Sequence, residues 1–372
     1  MAFPILGGDP NLAIVDYLED YLRGFGVSPT RVYGETREKA CLHARIGPPV
    51  DGGTILSGHT DVVPVEGQDW HTDPFALTAR DGKLFGRGAC DMKGYLACVL
   101  AAVPTFVKTD MTRPVYLAFS FDEEVGCVSG QLLAEAIRDH YDETPATCIV
   151  GEPSMLRPVV GHKGIAVYEV VVRGSAGHSS RIRTEVSAVH EAARLILHLE
   201  GLMDDYAAEG PRDERFDPPY TSVHVGKIRG GTAHNIVADE ARFTVDVRNL
   251  PGHDVQGILG AFRAFAKSQE TRLRARYAGA SISVAPYHPL VPALSTAEDS
   301  AAVRQIRALS GVEELATVAY ASEGGQFSDA GFATVICGPG DIAQAHRANE
   351  YVSVVQLEKC VGMLEGLAGL EN

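Results

Sequence analysis

The chain has 372 residues, with 33 Lys and Arg against 48 Asp and Glu, for a formal net charge of −15. So large an acid excess argues against a nucleic-acid binder, which needs clustered cations against the phosphates. With 45% hydrophobic and 22% charged residues, the composition is that of a globular chain of about two domains, not a disordered, collagenous or coiled-coil one. The N-terminal stretch MAFPILGGDP has no basic segment ahead of an apolar run, so no secretory signal is expected. The longest apolar run, Tyr95 to Val107, contains Pro104 and is too short for a membrane span. The 7 cysteines form no CxxC pair, which fits a reducing compartment, and a cytoplasmic location is expected.

Four short segments are strongly apolar without polar alternation: Thr54 to Gly58, Pro114 to Phe121, Ala146 to Gly151 and Ala333 to Gly338. Such runs suit strands buried on both faces. Helical spacing lies between them, at Gly94 to Val103 and Gly130 to Arg138, so an α/β domain with a mostly parallel sheet is predicted. From about Gly164 the texture changes. Strands at Ile165 to Arg173, Ser222 to Lys227, Ala241 to Val247 and Arg272 to Tyr277 alternate with helices at Glu185 to Leu199 and Val255 to Lys267. This β-α-β-β-α-β order predicts a ferredoxin-like α+β insertion over residues 164–283, splitting the first domain into 1–163 and 284–372.

In parallel sheets ligands bind beyond the carboxyl ends of the strands, so the residues just past each strand carry the function. After the first come His59 and Asp61. GRGACDMKG places Asp91 just before a helix, Pro114 to Phe121 runs into Asp122, Glu123 and Glu124, the third strand reaches Glu152, and the last leads to His346. Taken singly, these read as a hydrogen-bonded HxD pair, a helix N-terminal acid and a solvated acidic loop. Together, four buried strands leading to Asp, Glu or His form a convergent set typical of metal ligands. Asp91, Glu124 and Glu152 carry three negative charges, which one divalent cation leaves anionic and two, with one bridging anion, neutralise. The spare Glu123 is then available to carry protons.

SGHTDVVP, GRGACDMKG, DEE with Gly126, GEPS and QAH resemble, in order and spacing, the motifs of the dizinc aminoacylase and carboxypeptidase (metallopeptidase) family, over nearly the whole chain. VVGHKG and GPGDIAQAHRANEY look most like its acetylornithine deacetylase branch. The resemblance implies a zinc-hydrolase catalytic domain with an inserted lid and dimerisation domain. One Zn²⁺ would be held by His59, Asp91 and Glu152, and a second by Asp91, Glu124 and His346, with Co²⁺ or Mn²⁺ able to substitute. It also implies Asp61 as the partner of His59, Glu123 as general base, and His178 in the GHSS turn as a donor to the oxyanion, supplied in a homodimer by the partner. Asn235 and Arg248 would hold the carboxylate of an N-acyl amino acid, and Lys163 is a further candidate. Glu323, in a Gly-rich loop, is read from its own chemistry as a partner for a substrate ammonium. The function expected is deacetylation of N2-acetyl-L-ornithine. Desuccinylation of succinyl-diaminopimelate, carboxypeptidase activity, and a non-catalytic metal-binding scaffold are the alternatives.

Overall fold

The computed structural model describes residues 1–369 and divides into two compact units, Met1–His162 with the chain from Leu294 onward, and Lys163–Ala293. In the first unit a 9-stranded sheet has at its centre Val115–Ser120, Thr54–His59, Thr147–Pro153 and Ala333–Gly338, side by side and parallel. These coincide with the four apolar segments of the sequence, and all but Ala333 of their residues are buried. Burial on both faces explains the missing polar alternation. Leu56, Leu117, Ile149 and Val335 face one apolar layer, while Ile55, Tyr116, Cys148 and Ile336 face the other.

The helix expected at Gly94 to Val103 runs from Lys93 to Lys108, straight through Pro104. Proline has no N–H for the carbonyl four residues back, that of Leu100. The Tyr21 hydroxyl donates to that carbonyl at 2.9 Å, so the group freed by Pro104 stays satisfied and the helix continues.

The second unit is a four-stranded antiparallel sheet in the order Ser222–Gly230, Glu240–Asn249, Gly164–Arg173, Ser281–Pro286. Gly164–Arg173 alternates buried and half-buried residues, and its inward face packs on the helices Ala188–Glu209 and Val255–Arg274. One expectation is corrected. Arg272 to Tyr277 is not a strand: Leu273, buried, belongs to the last turn of Val255–Arg274, and the edge strand is Ser281–Pro286. Because this later strand pairs with Gly164–Arg173 and Val291 bridges to Ile165, the insertion ends at Ala293 rather than 283.

All seven cysteines are buried and free. His43, on the strand Ala40–Ile46, is 1% exposed, and its Nδ1 lies 2.9 Å from the Tyr141 hydroxyl. Burial, with His140 alongside, lowers this imidazole to about 4. A histidine lowered in the folded state is neutral there while the unfolded chain takes up a proton. Its stabilising contribution is therefore whole above pH 6.5 and declines as pH falls towards 4. The stability advantage of the wild type over His43→Gln should shrink by about 2 kcal/mol between pH 7 and pH 5. Urea unfolding with a chelator present, so that metal release does not contribute, measures this; a pH-independent gap contradicts it.

Candidate metal centre

Four of the five expected ligands stand at or just beyond the end of a buried strand or at a helix start, and His346 lies in a loop further along the chain. His59 is the last residue of Thr54–His59 and is fully buried; Glu152 lies in Thr147–Pro153 and is 4% exposed. Asp91 immediately precedes Met92, the N-cap of Lys93–Lys108, and is buried. Glu123 and Glu124 form the turn after Val115–Ser120, entered through Asp122 at φ +56°. His346, at φ +61°, follows the 3-10 turn Ile342–Gln344. Left-handed backbone at non-glycine residues costs of order 1–3 kcal/mol and is maintained where a site requires it.

The side chains converge. His59 Nε2 is 3.1 Å from Asp91 Oδ1 and 3.7 Å from Glu152 Oε1. His346 Nε2 is 3.0 Å from Glu124 Oε2 and 3.3 Å from Asp91 Oδ2. The two oxygens of Asp91 thus face different histidines, the arrangement of a carboxylate that bridges two ions. Donor atoms of His59, Asp91 and Glu124 lie within 4.8 Å of one another, and so do those of His59, Glu123 and Glu152. Glu124 Oε1 and Glu152 Oε1 are buried without a hydrogen-bond partner. Buried carboxylate oxygens lacking donors are costly unless a cation meets them, so this donor set fits a pair of divalent ions.

Asp61 departs from its expected contact. His59 Nδ1 is held by the main-chain carbonyl of Asp61 at 2.9 Å, and the carboxylate is 3.6 Å away. That carboxylate instead accepts the backbone N–H groups of Glu123 (3.2 Å) and Glu124 (3.1 Å), orienting both. Burial works against charge on His59, but the neighbouring carboxylates of Asp61 and Asp91 outweigh this and hold it well above the usual imidazole range. For Glu123, burial combined with the carboxylates Glu124, Asp91 and Glu323 outweighs nearby His59 and pushes the acid up to about 8. In Asp91 the opposite holds, because hydrogen bonds from His346 and His59 overcome burial and lower it.

The remaining predicted residues fall in several places. Lys163 is buried, and its ammonium donates to the carbonyls of Pro218 and Tyr220, both at 2.7 Å. It fastens a loop of the inserted unit. Glu323 is 1% exposed, with Oε2 accepting from Ser57 at 3.1 Å. Ser57 points the same way as His59 along its strand, and Glu323 Oε1 is buried without a hydrogen-bond partner, as are Glu124 Oε1 and Glu152 Oε1. Within the inserted unit, His178 is exposed with Nδ1 2.8 Å from Ser180 Oγ, and the Asn235 carbonyl accepts from Ser179 N–H at 3.0 Å. His178 and Asn235, from separate motifs, therefore share one corner. Arg248 is ion-paired with Asp246 at 2.8 Å. Two residues to which the sequence reading gives no role, Arg87 in GRGACDMKG and Glu350 in GPGDIAQAHRANEY, form a buried ion pair against the Asp91 loop. The sequence signal for both is their place in the segments that carry the family resemblance.

Residues 55–369 match the profile described as "Peptidase family M20/M25/M40". The acetylornithine deacetylase of Myxococcus xanthus is 34% identical over 363 residues, covering 95% of this chain and 91% of that protein. The acetylornithine deacetylase of Klebsiella pneumoniae (strain 342) is 33% identical over 350 residues, covering 92% and 86%. Among solved structures, the M20 family metallo-carboxypeptidase Sso-CP2 of Sulfolobus solfataricus superposes with a TM-score of 0.76 at 20% identity, covering 99% of this chain and 96% of that one. A dinuclear metal-binding M20 peptidase of Bacillus subtilis gives 0.61 at 13% identity, covering 99% and 94%. With the family profile spanning most of its length and relatives above 30% identity along nearly all of it, the chain belongs to peptidase family M20/M25/M40.

Proposed function

We propose that this chain removes the acetyl group from N2-acetyl-L-ornithine, giving L-ornithine and acetate in arginine biosynthesis. The observation that supports this most is the convergence of His59, Asp91, Glu124, Glu152 and His346 beside the spare acid Glu123, in a chain about one-third identical to proteins named acetylornithine deacetylase. In this reading His59, Asp91 and Glu152 hold one Zn²⁺, and Asp91, Glu124 and His346 a second; the carboxylate-rich donor set also suits Co²⁺ or Mn²⁺. When bound, the ions supply positive charge at the scissile carbonyl and make water a stronger acid. Glu123 takes a proton from the attacking water and returns one to the leaving amine nitrogen. Asp61 aims Glu123 by fixing its main chain. His178 donates to the carbonyl oxygen as it becomes an oxyanion, and Arg248, with Asn235, receives the substrate carboxylate in its planar fork. We further infer a cytoplasmic homodimer formed through the inserted unit. Among the described residues no helix is long and apolar enough to cross a membrane.

The test is a substrate panel on the metal-loaded protein: N2-acetyl-L-ornithine, other N-acetyl amino acids, succinyl-diaminopimelate and dipeptides. The expected result is a kcat/KM for acetylornithine at least about tenfold above every other member, the ratio that 1.4 kcal/mol of differential transition-state binding produces. Preference for the succinyl or peptidyl substrates moves the specificity elsewhere in the family. Two bound metals with no turnover on any member favour a metal-binding scaffold.

A further inference from the structure

Asp61 anchors His59, Glu123 and Glu124, but it touches neither Asp91 nor His346. These two ligands belong to loops far apart in the chain, and a second buried group ties them together. Glu350 is 1% exposed. Its Oε1 accepts the N–H groups of Cys90 (2.8 Å) and Asp91 (3.0 Å), and its Oε2 accepts Gly88 N–H (3.1 Å) and Arg87 Nη1 (2.7 Å). Four donors on one carboxylate leave the main chain that carries Asp91 little freedom. Arg87, also 1% exposed, reaches outward from the same point. It donates to the Val63 carbonyl at 3.1 Å, the Arg347 carbonyl at 3.3 Å and Gln68 Oε1 at 2.6 Å, and Gln68 Nε2 donates to the His346 carbonyl at 2.8 Å.

We propose that the Arg87–Glu350 pair is a positioning device of the metal centre: it sets Asp91 and His346 relative to one another and so governs the affinity of the ion these two share with Glu124. The inference rests on the two-metal reading given above. It also makes that site asymmetric. Of the three ligands of the His346 site, two are anchored by this network, whereas the His59 site depends on it through Asp91 alone. A buried ion pair has a purely structural alternative, because breaking one destabilises a fold wherever it lies. The two roles part in metal affinity, which a structural pair leaves unchanged in protein that folds.

The experiment is a chelator-competition titration of the metal-free full-length chain with Zn²⁺, for wild type, Glu350→Gln and Gln68→Ala, with thermal unfolding of each metal-free protein alongside. Gln68 is only half-buried, so its removal leaves the core intact. The wild type should bind two ions. In Glu350→Gln one of them should weaken by about 10–100-fold, the usual cost of losing a group that orients a ligand, while the other changes less. Gln68→Ala should weaken the same ion by a smaller factor. If both affinities stay within about twofold of wild type in the variants that fold, whatever their melting temperatures, the pair is structural and the proposal is wrong. Should Glu350→Gln not fold, Gln68→Ala decides by the same criterion. A wild type that fails to bind two ions overturns the two-metal reading itself, and does so without reference to either variant.

Discussion

Replacing Glu123 by Gln is expected to lower kcat by about 10²–10⁴-fold while two metal ions remain bound. The expectation turns on distinguishing a proton carrier from a ligand, and the two are close here, because Glu123 lies within 4.8 Å of His59 and Glu152 at its donor atoms. Orientation separates it from its neighbour. Glu124 meets His346 at 3.0 Å, on the side of the bridging Asp91, whereas Glu123 Oε1 accepts from the Cys127 thiol at 3.2 Å. Gln keeps the size and the main-chain anchor to Asp61 but has no basic oxygen. Metal analysis and steady-state acetate release on the same sample settle the matter. A drop from two ions to one would make Glu123 a ligand and leave the proton carrier to be found elsewhere.

Asp91→Ala should have the second large effect, loss of both ions together. Its Oδ1 faces His59 and its Oδ2 faces His346, at 3.1 and 3.3 Å, so one truncation takes an oxygen from each site. Several kcal/mol of charge stabilisation leave with the ions, and at about 1.4 kcal/mol per tenfold the turnover should fall by at least about 10³. Retention of one tightly held ion would show that Asp91 belongs to a single site. His346→Ala is the contrast, since it should remove one ion and spare the one held by His59 and Glu152.

Much of this site is legible in the amino-acid sequence. The four central strands are buried on both faces, so each leaves an unbroken apolar run, and the parallel arrangement places ligands at their ends; His59, Asp91, Glu124, Glu152 and His346 emerge from that geometry together with the family resemblance. The features that sequence does not reveal depend on contacts between distant segments. Arg87 and Glu350 are 263 residues apart, and nothing local marks either as the other's partner. The helix through Pro104 depends on Tyr21, 79 residues from the carbonyl it satisfies. Residue type likewise does not disclose that Lys163 donates to the Pro218 and Tyr220 carbonyls or that Glu323 accepts from Ser57. The strand expected at 272–277 fails for a local reason: RLRARY alternates charged and apolar residues, a pattern that the end of an amphipathic helix also produces.

The central claim is that these side chains hold two ions with Asp91 between them. Anomalous difference maps from crystals of the zinc-loaded protein, collected at the zinc edge, test it most directly. Two peaks are expected, one bounded by His59, Asp91 and Glu152 and the other by Asp91, Glu124 and His346. A single peak, or peaks away from these residues, would contradict it.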